Sequence, residues 1–153
     1  TEVVHTTVAK QLALYVTLYS PIQMAADLPE NYEKRLDVFQ FIRDVPVDWS
    51  DTRILNAAVG DYITIARREK GTEDWYLGSI TDEHPRDFSV KLDFLSPGKA
   101  YEATIYADGL NAHWKDNPYP VAIHKRTVRQ GDVLPISLVA GGGCAVSFKQ
   151  DQK

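Results

Sequence analysis

The chain has 153 residues, 25% charged and 44% apolar, the make-up of an ordinary soluble globular domain. Seventeen Lys and Arg against 21 Asp and Glu leave a net charge of −4, so no basic excess points to nucleic acid or an anionic membrane surface. The longest apolar run, Leu12 to Leu18, falls well short of the roughly 18–20 residues that cross a bilayer, and the single Cys144 excludes an internal disulfide.

The sequence opens at Thr1 without methionine. "TEVVHTTVAKQ" lacks a cationic stretch followed by a small-residue cleavage pattern, which suits a piece of something longer. Thr7 to Ser20 predicts a helix with Thr6 or Thr7 as its cap. Val8, Leu12, Tyr15 and Tyr19 mark one face, but Ala9, Ala13, Leu14, Val16 and Leu18 cover most of the rest. A helix apolar nearly all round belongs in an interior or between layers. Pro21 ends it. "IQMAAD", closed by Asp27, reads as a strand buried on both faces, as in parallel sheets. "LPENYEKRLDVFQFIRD" follows with early acids Glu30 and Glu33, and Tyr32, Leu36, Phe39 and Ile42 recur at helical spacing. Helix, buried strand and helix form part of an α/β repeat, yet nothing downstream supplies another strand–helix alternation. The missing sheet is therefore expected outside this chain, with apolar surface on the 1–46 leader left exposed.

Beyond Pro46 the helical period gives way to alternation. "RILNAAVGDYITIARR" holds two runs broken at Gly60–Asp61, and "GTEDWYLGSIT" follows a Lys70–Gly71 turn. In "DFSVKLDFL", Phe88, Val90, Leu92 and Phe94 share one face. "SPG" marks a turn before "KAYEATIYADG", and "VAIHKRTV", "DVLPISLVA" and "GCAVSF" complete the set. About eight strands at this spacing predict an antiparallel β-sandwich with one wet face per sheet. Pro135 marks an edge or a bulge. The division falls at a helix–strand–helix segment over 1–46 and a sandwich over 47–153.

Candidate sites are few. Asp27 ends the buried strand, where loops carry chemistry in (β/α)8 barrels, although a helix cap explains it as well; Gln23 points into the same region. His5, His84, His113 and His124 lack metal-ligand spacing, and His84 and His113 lie in polar loops. "TDEH" and "WSD" place acids in turn-like stretches, where aspartate bonds its own backbone. Trp75, Tyr76, Trp114 and Tyr119 are either sugar-stacking aromatics or packing residues. Cys144 in "GGGCAVSF" reads as a small buried filler. The glycines there lead into a strand, not the helix that a phosphate loop needs. The residues alone name no catalytic constellation.

The run "LALYVTLYSPIQMAADLPENYEKRLDVFQFIRDVPVDW" resembles the end of the catalytic barrel in glycoside hydrolase family 97. "GDYITIARREKGTEDWYLGSITDE", "DFLSPGKAYEATIYADG", "HWKDNPYPVAIHK" and "GGGCAVSF" resemble that family's C-terminal β-domain, in the same order, over about Thr6 to Phe148. The wording is most like the α-glucosidase branch, and the α-galactosidase branch shares the architecture. The resemblance implies an N-terminal sandwich, a (β/α)8 barrel and a C-terminal sandwich. It also implies glutamates and a bound calcium ion that act on α-glycosidic bonds, one acid protonating the leaving oxygen while another glutamate activates water. An inverting pair stands about 6.5–9.5 Å apart. Those glutamates and calcium ligands lie on earlier barrel segments, so no catalytic or metal residue carries over to this chain; Gln23 and Asp27 stand as barrel-rim candidates for substrate contact. The expected partners are the rest of the glycosidase, an α-linked oligosaccharide bound by that parent and a second copy in a homo-oligomer, with no nucleic acid and no membrane. The family implies the periplasm. A carbohydrate-binding or protein-interaction sandwich is the alternative.

Overall fold

The computed structural model describes residues 7–17, 40–41, 44–46, 48–58, 61–109, 112–113, 115 and 120–151. Within them lie a helix, α1 (Val8–Thr17), and eight strands: β1 (Trp49–Ala58), β2 (Tyr62–Glu69), β3 (Trp75–Thr81), β4 (Arg86–Lys91), β5 (Ala100–Asp108), β6 (Val121–Arg129), β7 (Val133–Leu138) and β8 (Gly143–Gln150). Six strands form one sheet in the order β1-β2-β3-β8-β5-β6, and β4 pairs with β7 in a ribbon; every pairing is antiparallel. The mainly-β sandwich read from the alternation is the fold observed. Gly71 and Gly98, at two of the turns read from the sequence, take φ of 81° and 73°, where a Cβ would crowd the backbone. Pro135 stands on a two-strand ribbon and faces Ser89 in an unbroken register, so it marks an edge and no bulge.

Alternation along the strands divides the interior in two. Trp75, Leu77, Tyr101, Ala103, Val146 and Phe148 point toward the ribbon and meet Val90, Leu134, Ile136 and Leu138. Tyr76, Tyr106 and Ala145 point the other way and meet Val8, Leu12, Ala13, Tyr15 and Val16 of α1, together with Phe41 and Val45. The ribbon keeps its expected wet face, as the alternating burial of β7 shows. The middle of the large sheet does not: β3 is buried almost throughout and β8 is buried from Gly143 to Phe148. The helix supplies the second cover.

The apolar surface of α1 is correspondingly buried. Val8, Ala9, Leu12, Ala13, Tyr15 and Val16 are all at most 2% exposed, as expected of a helix that belongs in an interior or between layers. The sheet covers the side of the helix that carries Lys10, Ala13 and Thr17, and Phe41 and Val45 join the cluster formed by Val8, Leu12 and Tyr15. Val45 N–H donates to Phe41 O at 2.9 Å, the bond of an α-helical turn. Phe41 sits edge-on to Tyr106 and Tyr76, with ring centres 5.2 and 6.2 Å apart. The run Ile22–Asp27 and the face Tyr32, Leu36, Phe39 and Ile42 lie outside the described residues.

Candidate functional site

Helix α1 is seated closely on the sheet. Thr7 caps the helix, its Oγ1 accepting the Lys10 amide at 3.2 Å, and Thr7 N–H donates to Gly141 O at 3.3 Å. The helix start is thus tied to the turn that leads into β8. Farther along, α1 crosses β3 and β8 where each presents glycine. A Cβ on Gly78 would stand 2.5 Å from Ala13 O, and one on Gly143 would stand 2.4 Å from Lys10 Cα. Backbone rests on backbone at both points, a separation that any larger residue would prevent.

A polar belt surrounds the helix start. Asp108, at the end of β5, accepts the Gly143 and Val139 amides on Oδ2 at 3.2 and 3.3 Å. Burial pushes its carboxyl above the ordinary value, against the pull of Thr7, the two amides and the Lys10 charge. Lys10 Nζ donates to Thr81 O at 2.7 Å. Burial lowers the Lys10 pKa, while Asp82 and Asp108 act in the opposite sense. Asp82 accepts the His84 amide at 3.0 Å, the local turn bond expected for "TDEH", and Arg86 adds a contact at 3.4 Å. The His84 amide is the foremost of several partners that hold the Asp82 carboxyl below its usual value. Arg86 also lies over the Tyr62 ring, 4.7 Å from its centre.

Beside this belt opens a groove of about 490 Å³, walled by Ala57, Ala58, Tyr62, Ile63 and Ile80 and edged by Lys10 and Asp82. Its lining is mainly aliphatic and aromatic, a surface suited to packing. Among the described residues no three His, Cys, Asp or Glu side chains converge in a group that could hold a metal ion. No helix among them is long and apolar enough to cross a membrane.

Gln23 and Asp27, the barrel-rim candidates, lie outside the described residues, as do Trp114, Tyr119 and His5. Trp75 and Tyr76 are 3% and 2% exposed, so neither offers a ring to a sugar; packing is their role. Tyr76 reaches through its core and donates its hydroxyl to Asp44 O at 3.1 Å. Cys144 is buried as read, and desolvation pushes its thiol up to about 12. His84 and His124 are exposed and His113 half-buried. "WSD" corrects to strand: Asp51 lies in β1 and accepts Arg53 Nη2 at 3.2 Å, drawn there by alternation that the polar composition hides. Gly78, Asp108 and Phe41 were not singled out by sequence, and Gly143 was weighed only as part of the glycine run in "GGGCAVSF". A glycine inside a strand, marking close backbone approach, is the signal that identifies Gly78.

Together these features define a helix-backed antiparallel β-sandwich whose most developed site is a packing interface. The family model described as "Glycosyl-hydrolase 97 C-terminal, oligomerisation" matches residues 48–149. The chain belongs to glycoside hydrolase family 97 and carries that C-terminal domain. It is 39% identical over 140 residues to a retaining α-galactosidase of Bacteroides thetaiotaomicron, covering 92% of this chain and 20% of that protein. A probable retaining α-galactosidase of Streptomyces bingchenggensis is 29% identical over 137 residues, covering 90% and 20%. A family 97 enzyme from Pseudoalteromonas sp. strain K8, solved in complex with panose, superposes with a TM-score of 0.88 at 49% identity, covering 96% of this chain and 23% of that one. The chain thus spans about one fifth of the length of the curated relatives it matches.

Proposed function

We propose that this chain is the C-terminal portion of a calcium-dependent α-glucosidase that hydrolyses α-glucosidic bonds in oligosaccharides, and that its own part is structural. One observation carries the structural role: α1, which by resemblance belongs to the barrel segment, is keyed into β3 and β8 at Gly78 and Gly143. A helix of the catalytic unit clamped into the sandwich core would fix the two together. The aliphatic groove beside Lys10 offers further surface to the rest of the enzyme. The glucoside reading is supported by the relative solved with panose, which is 49% identical, against 39% for the α-galactosidase. Calcium would be held by residues outside this chain, and the periplasm is the proposed compartment.

A second reading, retaining α-galactosidase, is favoured by the names of the curated relatives. Chromogenic α-glucoside and α-galactoside, given to the complete protein with and without a chelator, separate the two. Turnover of the glucoside, lost on chelation and restored by calcium, is expected; turnover of the galactoside alone would replace the first reading with the second. The 153-residue chain should hydrolyse neither. Turnover by that chain would overturn its structural role.

A further inference from the structure

We propose that β1 is the edge at which two copies of this protein join, antiparallel, about a twofold axis through Thr52. The inference deepens the family's description as an oligomerisation domain and does not depend on which sugar is cleaved.

The six-stranded sheet has two edges, β1 and β6. Open edges invite pairing unless charge or irregularity blocks them. On β6 the exposed stretch runs His124, Lys125, Arg126 and Thr127, with Arg129 exposed beyond it, so cations guard that edge. On β1, Ile54 is 67% exposed beside exposed Thr52 and Arg53. The pairing of β1 with β2 shifts register between Trp49 and Asp51 and again between Ile54 and Asn56, leaving Asp51–Ile54 as a regular run.

Symmetry then selects the register. A twofold that joins two antiparallel edges stands perpendicular to the sheet and preserves its faces. Opposed residues must share a face, and neighbours in one strand do not, so the axis passes through a residue. An axis at Asp51 or Arg53 opposes like charges, which is destabilising. An axis at Ile54 carries the pairing directly into the second shift. An axis at Thr52 sets each Asp51 opposite the second copy's Arg53. The two side chains do share a face, since they bridge at 3.2 Å within one copy, and Arg53 lies opposite Ala66 on the ribbon side. Two reciprocal ion pairs follow, and Ile54 on the other face is covered against the second copy's Thr52 and Ser50.

The test is light scattering over a concentration series on the complete protein, with α-glucoside turnover followed in parallel. A dimer is expected. Arg53→Asp, which opposes like charges twice, should weaken association by at least about tenfold. Adding Asp51→Arg should restore it. Oxidation of Thr52→Cys should yield a covalent dimer, because the two positions meet on the axis. Ser137→Cys, on the exposed face of β7, should not yield one. A monomer at every concentration would overturn the proposal, as would association unchanged by Arg53→Asp together with no cross-link at Thr52. Loss of the glucosidase reading would show in turnover alone and leave these measurements standing.

Discussion

Adding one methyl group at Gly143 should lift α1 from the sheet. The Cβ of Gly143→Ala would stand 2.4 Å from Lys10 Cα, 2.9 Å from Lys10 Cβ and 3.0 Å from Lys10 N. Ordinary contact begins near 3.4 Å, so the helix backbone must retreat by about 1 Å. No side-chain rotation relieves a clash with backbone. Overpacking of this kind costs about 1–3 kcal/mol, because a rigid displacement loosens contacts along the whole buried face, from Val8 to Val16. For a domain of this size that corresponds to a Tm lower by roughly 2–12 °C, read by calorimetry or near-ultraviolet circular dichroism. Gly78→Ala, whose Cβ would stand 2.5 Å from Ala13 O, should cost a similar amount. The double variant should cost less than the sum, since one displacement relieves both clashes. A Tm for Gly143→Ala within about 1 °C of the parent, or full additivity in the pair, would refute the picture of a helix seated as a rigid body.

Phe41→Ala should destabilise by about 3–5 kcal/mol, measured by denaturant titration, because it empties the space between Tyr76 and Tyr106. Asp108 is more easily protonated folded than unfolded, so above the unfolded carboxylate pKa its ionisation should lower stability as pH rises toward and through its folded value. Asp108→Asn keeps an oxygen for the two amides and removes the titration. Its stability relative to the parent should therefore climb with pH from about 4 upward, measured by urea midpoints, and a flat difference would contradict the assignment. A chain beginning at Val47 should bind a hydrophobic dye more than the full chain, because Tyr76, Tyr106 and Ala145 lose the cover that α1 provides.

The outer strands were legible because they carry a period of two, and the turns because glycine or proline punctuates them. Thr7 was legible as a cap because a hydroxyl before an apolar helical run has one economical use. The seat of the helix was not. Gly78 and Gly143 carry no side chain that a pattern could read, and their partners, Ala13 and Lys10, lie 65 and 133 positions away. Asp108 sits at a strand end beside Gly109, where an aspartate suits the turn on local grounds. Its bonds to Val139 and Gly143 depend on a chain crossing that no local pattern announces. Phe41 stands off the stripe of Tyr32, Leu36, Phe39 and Ile42, so helical spacing alone assigns it to the wrong side.

Size, more than polarity, distinguishes the two faces of the central strands. Toward the ribbon, β3 and β8 send Trp75, Leu77, Val146 and Phe148; toward the helix they send Gly78, Gly143, Ala145 and Ser147. Both sets are buried, so an alternation of apolar and polar residues never develops there. A small face cannot fill a layer with side chains and must admit a backbone instead. On the same face Tyr76 and Tyr106 are large, and they close around Phe41 in the cluster that also holds α1. The sheet is thus shaped for one helix at one height. Its β1 edge carries Asp51 and Arg53 on one face with Ile54 exposed on the other, an arrangement that neither core requires. Packing accounts for the faces of this sheet; an uncovered Ile54 between two register shifts is accounted for by another copy.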